Sequence, residues 1–213
     1  MKQKVIDCIL EHKVIAIVRG VGEEDILETA KALYDGGIKL LEITFNQKDP
    51  NTLENTKKLI KLVSDKYGDK ICVGAGTVMN IKQAQTAFDG GAKYFISPNT
   101  NIAVIHKANE LGAVSIPGAL TPTEAQNAYE AGADFVKLFP AGDLGTGYIK
   151  SVCAPLNHIP FLAVGGINSN NLADFMKTGI KGVGVGGNLV DLKIIKNKYF
   201  KKLTELAKEY TIN

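Results

Sequence analysis

The chain has 213 residues, 45% hydrophobic and 22% charged, a balance that fits one soluble globular domain over residues 1–213 and excludes a disordered or collagen-like protein. The net charge of +3 is small, and the lysine groups at Lys57, Lys58 and Lys61 and from Lys193 to Lys202 carry no interleaved base-stacking aromatics, so no nucleic-acid partner is expected. No apolar run reaches bilayer-spanning length, the N-terminus lacks the apolar stretch of a signal peptide, and Cys8, Cys72 and Cys153 are odd in number and far apart; no membrane partner and a reducing, cytoplasmic compartment are expected.

Residues 2 to 12 read as a short amphipathic helix, with Val5, Cys8, Ile9 and His12 at i, i+3, i+4, i+7. An alternation then begins. Val14 to Val18 is a buried strand ending at Arg19-Gly20, and Glu23 to Tyr34 a helix closed by Gly36-Gly37. Strand Leu40 to Phe45 leads to a helix from Asn51 to Tyr67, and strand Ile71 to Val78 to a helix from Ile81 to Phe88. Strand Tyr94 to Ser97 and helix Ile102 to Leu111 follow, then strand Val114 to Ile116. Thr121-Pro122-Thr123-Glu124 has the form of a capping box with Pro at the first helical position, opening a helix toward Gly132. Strand Phe135 to Phe139, a helix around Tyr148 to Val152, strand Phe161 to Val164, helix Leu172 to Lys177 and strand Val183 to Val185 come next. A lysine-rich amphipathic helix to about Tyr210 closes the pattern.

Eight strands alternating with eight helices after the N-terminal one require a parallel sheet covered by helices. Eight βα units point to a closed (β/α)8 barrel of the TIM type. A doubly wound open sheet is the runner-up, but no G-x-G-x-x-G opens the first βα turn.

One strand carries a chemical anomaly. Lys137 lies in Phe135-Val136-Lys137-Leu138-Phe139-Pro140, with large apolar groups on both faces of the strand. A buried ammonium tends to lose its proton, and a neutral amine is a nucleophile able to form a Schiff base with a carbonyl. An edge position or a buried carboxylate partner are the plain alternatives. Glu42, between Leu41 and Ile43, is the second anomaly, either a satisfied anion or an acid/base close enough to shuttle protons at an imine. Arg19 is the only arginine among 25 basic residues, which suggests a position that needs its bidentate fork.

Barrel enzymes act at the C-terminal ends of their strands, and the unusual residues fall there. Thr77 and Pro98 stand near the ends of the third and fourth strands, Gly165-Gly166 ends the seventh, and Gly186-Gly187-Asn188 follows the eighth. The two glycine pairs are either turns or a phosphate cradle of backbone N–H groups, and Gly74-x-Gly76 in the third strand would open backbone to a ligand carboxylate. His12, His106 and His158 have no second ligand at metal spacing, so no metal is expected.

Ile17-Val18-Arg19-Gly20, Leu41-Glu42-Ile43-Thr44-Phe45, Val73-Gly74-Ala75-Gly76-Thr77-Val78, Ile96-Ser97-Pro98-Asn99, Ile116-Pro117-Gly118, Val136-Lys137-Leu138-Phe139-Pro140-Ala141 and Val164-Gly165-Gly166-Ile167 together resemble the ordered motifs of the 2-keto-3-deoxy-6-phosphogluconate / 4-hydroxy-2-oxoglutarate aldolases. The resemblance implies a class I aldolase without metal or cofactor, acting on a small 2-keto acid. It would cleave 2-keto-3-deoxy-6-phosphogluconate to pyruvate and glyceraldehyde 3-phosphate, and/or 4-hydroxy-2-oxoglutarate to pyruvate and glyoxylate. The phosphogalactonate epimer is the alternative substrate, and a non-covalent phosphate-binding barrel isomerase or synthase the alternative of another class. It implies that Lys137 is the Schiff-base lysine and Glu42 the general acid/base. Arg19, Thr77 and Pro98 would surround the pyruvyl carboxylate and keto group, Phe139 would pack beside the imine, and Gly165 and Gly166, with Gly186 and Gly187, would hold phosphate. A homotrimer is common in the family. Three departures bear on substrate. Ala163-Val164 stands where Pro-Thr is usual, as in the related 2-keto-3-deoxy-6-phosphogalactonate aldolases, which carry Val there. Gly186-Gly187 stands where Gly-Ser is frequent, and Asn46 where some members carry Arg.

Overall fold

Runs of three to five apolar residues separated by amphipathic helices leave each strand two apolar faces to cover, and in this chain they are covered by rolling the sheet into a ring. The computed structural model describes residues 2–211, so residues 1, 212 and 213 of the expected 1–213 domain lie outside the described residues. The strands are β1 Val14–Val18, β2 Leu40–Thr44, β3 Cys72–Gly76, β4 Tyr94–Ile96, β5 Val114–Ile116, β6 Gly118–Ala119, β7 Val136–Leu138, β8 Phe161–Val164 and β9 Gly182–Val185. All pair in parallel, in the order β5-β4-β3-β2-β1-β9-β8-β7-β6.

The two ends of that order are one barrel stave. Only Pro117 separates β5 from β6. β5 pairs with β4 on one side, β6 with β7 on the other, and Pro117 itself accepts a hydrogen bond from the Lys137 backbone N–H at 2.9 Å. The nine segments are therefore the eight staves expected from the sequence, the fifth interrupted where proline has no N–H to donate. This closure fits the barrel and removes the open-sheet alternative.

Helices α1 Lys2–His12, α2 Glu23–Asp35, α3 Thr52–Tyr67, α4 Ile81–Gly90, α5 Ile102–Glu110, α6 Pro122–Glu130, α7 Ala141–Cys153, α8 Leu172–Met176, α9 Leu192–Lys196 and α10 Phe200–Lys208 complete the alternation. The capping box is present at α6, where the Thr121 and Glu124 side chains bond each other's backbone N–H groups. Two helices differ most from the sequence reading. α7 begins seven residues before Tyr148, its glycines absorbed by a non-helical break at Gly145. The single lysine-rich helix is two, α9 and α10, parted by Lys198 in left-handed conformation and paired with Asp25. Among the described residues no helix is long and apolar enough to cross a membrane.

Strand alternation divides the core in two. Outward residues such as Val136, Leu138 and Ile43 pack against the helices. Inward residues Ile15, Leu40, Tyr94, Ile96, Val114, Ile116, Phe135 and Leu162 fill the barrel, joined by Val5 and Ile9 of α1, which plugs its lower end. Lys137 is two residues above Phe135 on the same inward face. The floor beneath it is thus apolar and closed.

Candidate active site

At the C-terminal end of the strands a cavity of about 320 Å³ opens, and all ten residues singled out from the sequence line it. Arg19, Glu42, Thr77, Pro98, Lys137, Phe139, Gly165, Gly166, Gly186 and Gly187 come from seven staves. A larger cleft, about 780 Å³, lies at the other end of the barrel, where Lys39, Ile71 and Lys93 precede their strands, and holds none of them. Chemistry-bearing groups converge in the smaller cavity.

Lys137 and Glu42 are 6% and 2% exposed, both in mid-strand positions facing the interior. Burial pulls the Lys137 amine below the ordinary lysine range; Glu42 opposes this and Arg19 adds to it. Burial pushes the Glu42 carboxyl above the usual carboxylate range, against the pull of Lys137 and Arg19. Both shifts favour the uncharged forms, an amine and a carboxylic acid, as nucleophilic and acid/base chemistry near neutral pH require. Glu42 Oε2 is buried, and among the described residues no group hydrogen-bonds it. The Lys137 Nζ lies 4.7 Å from the centroid of the Phe139 ring, which stands half out of the rim.

Arg19, at the mouth, donates from Nη2 to the Thr77 hydroxyl at 3.0 Å. Thr77 is not in the third strand as its sequence suggested. The strand stops at Gly76, and Thr77 turns into the left-handed region with φ 57°. A second expectation is corrected by the same strand. Gly74 and Gly76 do not open backbone to a ligand; a Cβ at Gly74 would strike the Tyr94 ring, and one at Gly76 the Glu42 carboxyl. These glycines make room for the protein's own side chains.

The two upper glycine pairs differ from each other. Gly165 and Gly166 have φ of 92° and 73°, and a Cβ on Gly166 would lie 2.9 Å from Gly142 Cα at the start of α7. The fold demands glycine there. At Gly186 and Gly187 no left-handed φ occurs, and a Cβ would meet nothing within 4 Å among the described residues. Glycine at those positions leaves backbone bare to the cavity without serving any packing need.

The lining also takes in Val164 and Asn188, which the sequence marked as a departure bearing on substrate and as the residue after the last glycine pair, and Ile17, Ile167 and Gly184, to which it assigned no role. Period-two alternation from Ile15 carries the signal for Ile17. Asn188 ties the two upper loops together, its Nδ2 donating to the Ile167 carbonyl at 2.8 Å while its own carbonyl accepts from the Tyr210 hydroxyl at 3.0 Å. Asn46, by contrast, faces a separate surface hollow beside Thr52 and Asn55.

The sequence matches the KDPG and KHG aldolase family over residues 5–206. It is 36% identical over 176 residues to the 2-dehydro-3-deoxy-6-phosphogalactonate aldolase of Escherichia coli K12, covering 82% of this chain and 83% of that one. It is also 36% identical over 165 residues to the 2-dehydro-3-deoxy-phosphogluconate aldolase of Treponema pallidum, covering 77% and 75%. The fold superposes with a TM-score of 0.84 on the Legionella pneumophila KDPG aldolase with pyruvate captured at low pH as a covalent carbinolamine, at 28% identity over 94% of this chain and 95% of that one.

Proposed function

Since the chain belongs to the KDPG and KHG aldolase family, whose members are lyases of the class I type, we propose that it cleaves a 2-keto-3-deoxy-6-phospho sugar acid to pyruvate and glyceraldehyde 3-phosphate through a Schiff base on Lys137. The observation that carries this reading is the buried pair itself. An amine held toward its neutral form and a carboxyl held toward its acid form share one closed-floored cavity.

The amine of Lys137 attacks the C2 carbonyl carbon and forms a carbinolamine, and Glu42 supplies a proton as water leaves to give the iminium. Glu42, now a carboxylate, takes the C4 hydroxyl proton through a water. The C3–C4 bond breaks, its electron pair flows into the iminium, and the aldehyde departs. Glu42 returns the proton to C3 of the enamine, and water hydrolyses the imine to release pyruvate. Arg19 holds the substrate carboxylate in a bidentate grip, with Thr77 and Pro98 beside the keto carbon and Phe139 covering the imine. The bare backbone at Gly186 and Gly187, facing Gly165 and Gly166, receives the phosphate.

Val164 on the cavity wall favours the galactonate epimer over the gluconate one, because a valine offers no hydroxyl to the substrate's C4 oxygen. The similarity to the E. coli phosphogalactonate enzyme supports the same choice. 4-Hydroxy-2-oxoglutarate, cleaved to pyruvate and glyoxylate, lacks the phosphate that the upper glycines fit. A homotrimer is the assembly proposed, to be read by sedimentation. The experiment that tests the activity is pyruvate release from each of the three substrates, measured by coupled reduction. Fastest turnover on phosphogalactonate, abolished in Lys137→Ala, is expected; turnover undiminished by that substitution would overturn the proposal.

A further inference from the structure

Thr77 is β-branched and left-handed, a combination that neighbouring structure has to impose. The loop it opens is held at five successive backbone groups. Gln47 Nε2 donates to the Thr77 carbonyl at 2.9 Å. The Val78 N–H donates to the Ile96 carbonyl, and the Val78 carbonyl accepts from the Ser97 hydroxyl at 2.6 Å. The Met79 N–H donates to Gln83 Oε1 at 2.7 Å, and the Met79 carbonyl accepts from Asn101.

Two of these clamps are a single device. Gln83 Nε2 donates to Gln47 Oε1 at 2.9 Å, so the amides of Gln83 and Gln47 run in series from the Met79 N–H to the Thr77 carbonyl. Their polarity is fixed from both ends. A backbone N–H can only donate, which sets Gln83 Oε1 toward Met79 and its Nε2 toward Gln47; a backbone carbonyl can only accept, which sets Gln47 Nε2 toward Thr77. The two requirements agree at the junction, an N–H meeting an oxygen. Gln83 is buried and Gln47 exposed, so the relay reaches from the core to the rim. Beyond Thr77 stands Arg19, whose guanidinium donates to the Thr77 hydroxyl.

We propose that Gln47 and Gln83 are positioning residues, a two-amide relay that holds Thr77 in its left-handed turn and thereby aims Arg19 at the carboxylate of the 2-keto acid. The inference rests on the reading of Arg19 as carboxylate ligand given above. Gln83→Glu keeps the side chain's shape and the Met79 bond but turns the junction into two facing acceptors. Gln47 then has to flip, and its oxygen meets the Thr77 carbonyl. Gln47→Leu removes the last link at an exposed position.

The test is borohydride labelling of the full-length protein at increasing concentrations of pyruvate, and of methyl pyruvate, whose ester carries no charge for Arg19. Loss of one relay bond should raise the half-saturating pyruvate about tenfold in Gln47→Leu and in Gln83→Glu. Maximal labelling of Lys137 and the half-saturating methyl pyruvate should stay at wild-type values. An unchanged pyruvate requirement in folded Gln47→Leu would overturn the relay, as would an equal rise for both ligands, which marks a general structural effect. Failure of the wild-type protein to be labelled by pyruvate at all would remove the Schiff-base reading and the relay with it, a result separable from the variant outcomes.

Discussion

The carboxyl of Glu42 lies over Gly76 of the neighbouring strand, in the space where a β-carbon at position 76 would stand. The register pairs Thr44 with Gly76 and Glu42 with Gly74, so the side chain leans one step up its own strand, toward the cavity. Glycine at 76 is thus part of how Glu42, the proposed acid/base, is aimed. Gly76→Ala should push the carboxyl off its position and lower kcat by roughly 10²-fold, the lower range for a lost general acid/base. Overpacking should also lower stability by about 1–3 kcal/mol. Turnover and a denaturation midpoint measured on the same preparation check both; a variant with wild-type kcat would show that the Glu42 position is not critical.

The carboxylate of Glu42 is the one group named above that raises the Lys137 pKa, against burial and Arg19. Where Glu42 is ionised its charge draws Lys137 toward the ammonium form, so a glutamine at 42, which never carries that charge, leaves the lysine a free amine to lower pH. In Glu42→Gln the pH at which pyruvate trapping by cyanoborohydride reaches half its maximum should shift downward, while cleavage turnover falls by roughly 10²–10⁴-fold. A midpoint that stays in place or moves upward would mean that Glu42 does not hold the lysine's pKa up.

Val164→Thr places a hydroxyl on the wall of the cavity with little change of volume. One added hydrogen bond to the gluconate epimer is worth about 0.5–1.5 kcal/mol, so the ratio of kcat/KM for phosphogluconate to phosphogalactonate should rise by up to about tenfold. Comparing the two substrates in wild type and variant measures it. No change in the ratio would remove Val164 from the choice of epimer.

The two glycine pairs should respond oppositely to an added methyl. Gly187→Ala has room in the fold and no left-handed φ, so its thermal midpoint should match wild type while KM for the phosphorylated substrate rises and pyruvate labelling is unaffected. Gly166→Ala combines φ 73° with contact against Gly142 and should destabilise the protein by about 1–3 kcal/mol. Thermal melts beside substrate titrations separate them. Equal loss of stability in both would contradict the distinction.

The lining of the site was legible in the sequence because its chemistry contradicts its surroundings. Lys137 and Glu42 are charged residues inside apolar strands, and Arg19 is a lone guanidinium. The glycines were visible too, but not their reasons: Gly76 serves Glu42, Gly74 serves Tyr94, and Gly166 serves Gly142, contacts that no periodicity encodes. The split of the fifth stave at Pro117 was hidden because Val114 to Ile116 already reads as a complete short strand. Gln47 and Gln83 gave no signal at all. One looks like loop and the other like the polar face of a helix, and only the fold brings them together 36 residues apart in sequence.

The most direct test of the Schiff-base assignment is incubation of the purified protein with pyruvate and sodium borohydride, followed by peptide mass spectrometry. A reduced pyruvyl adduct confined to the peptide carrying Lys137, lost in Lys137→Ala and insensitive to chelator, is the expected result. A folded wild-type protein that acquires no adduct, or acquires it on another lysine, would contradict it.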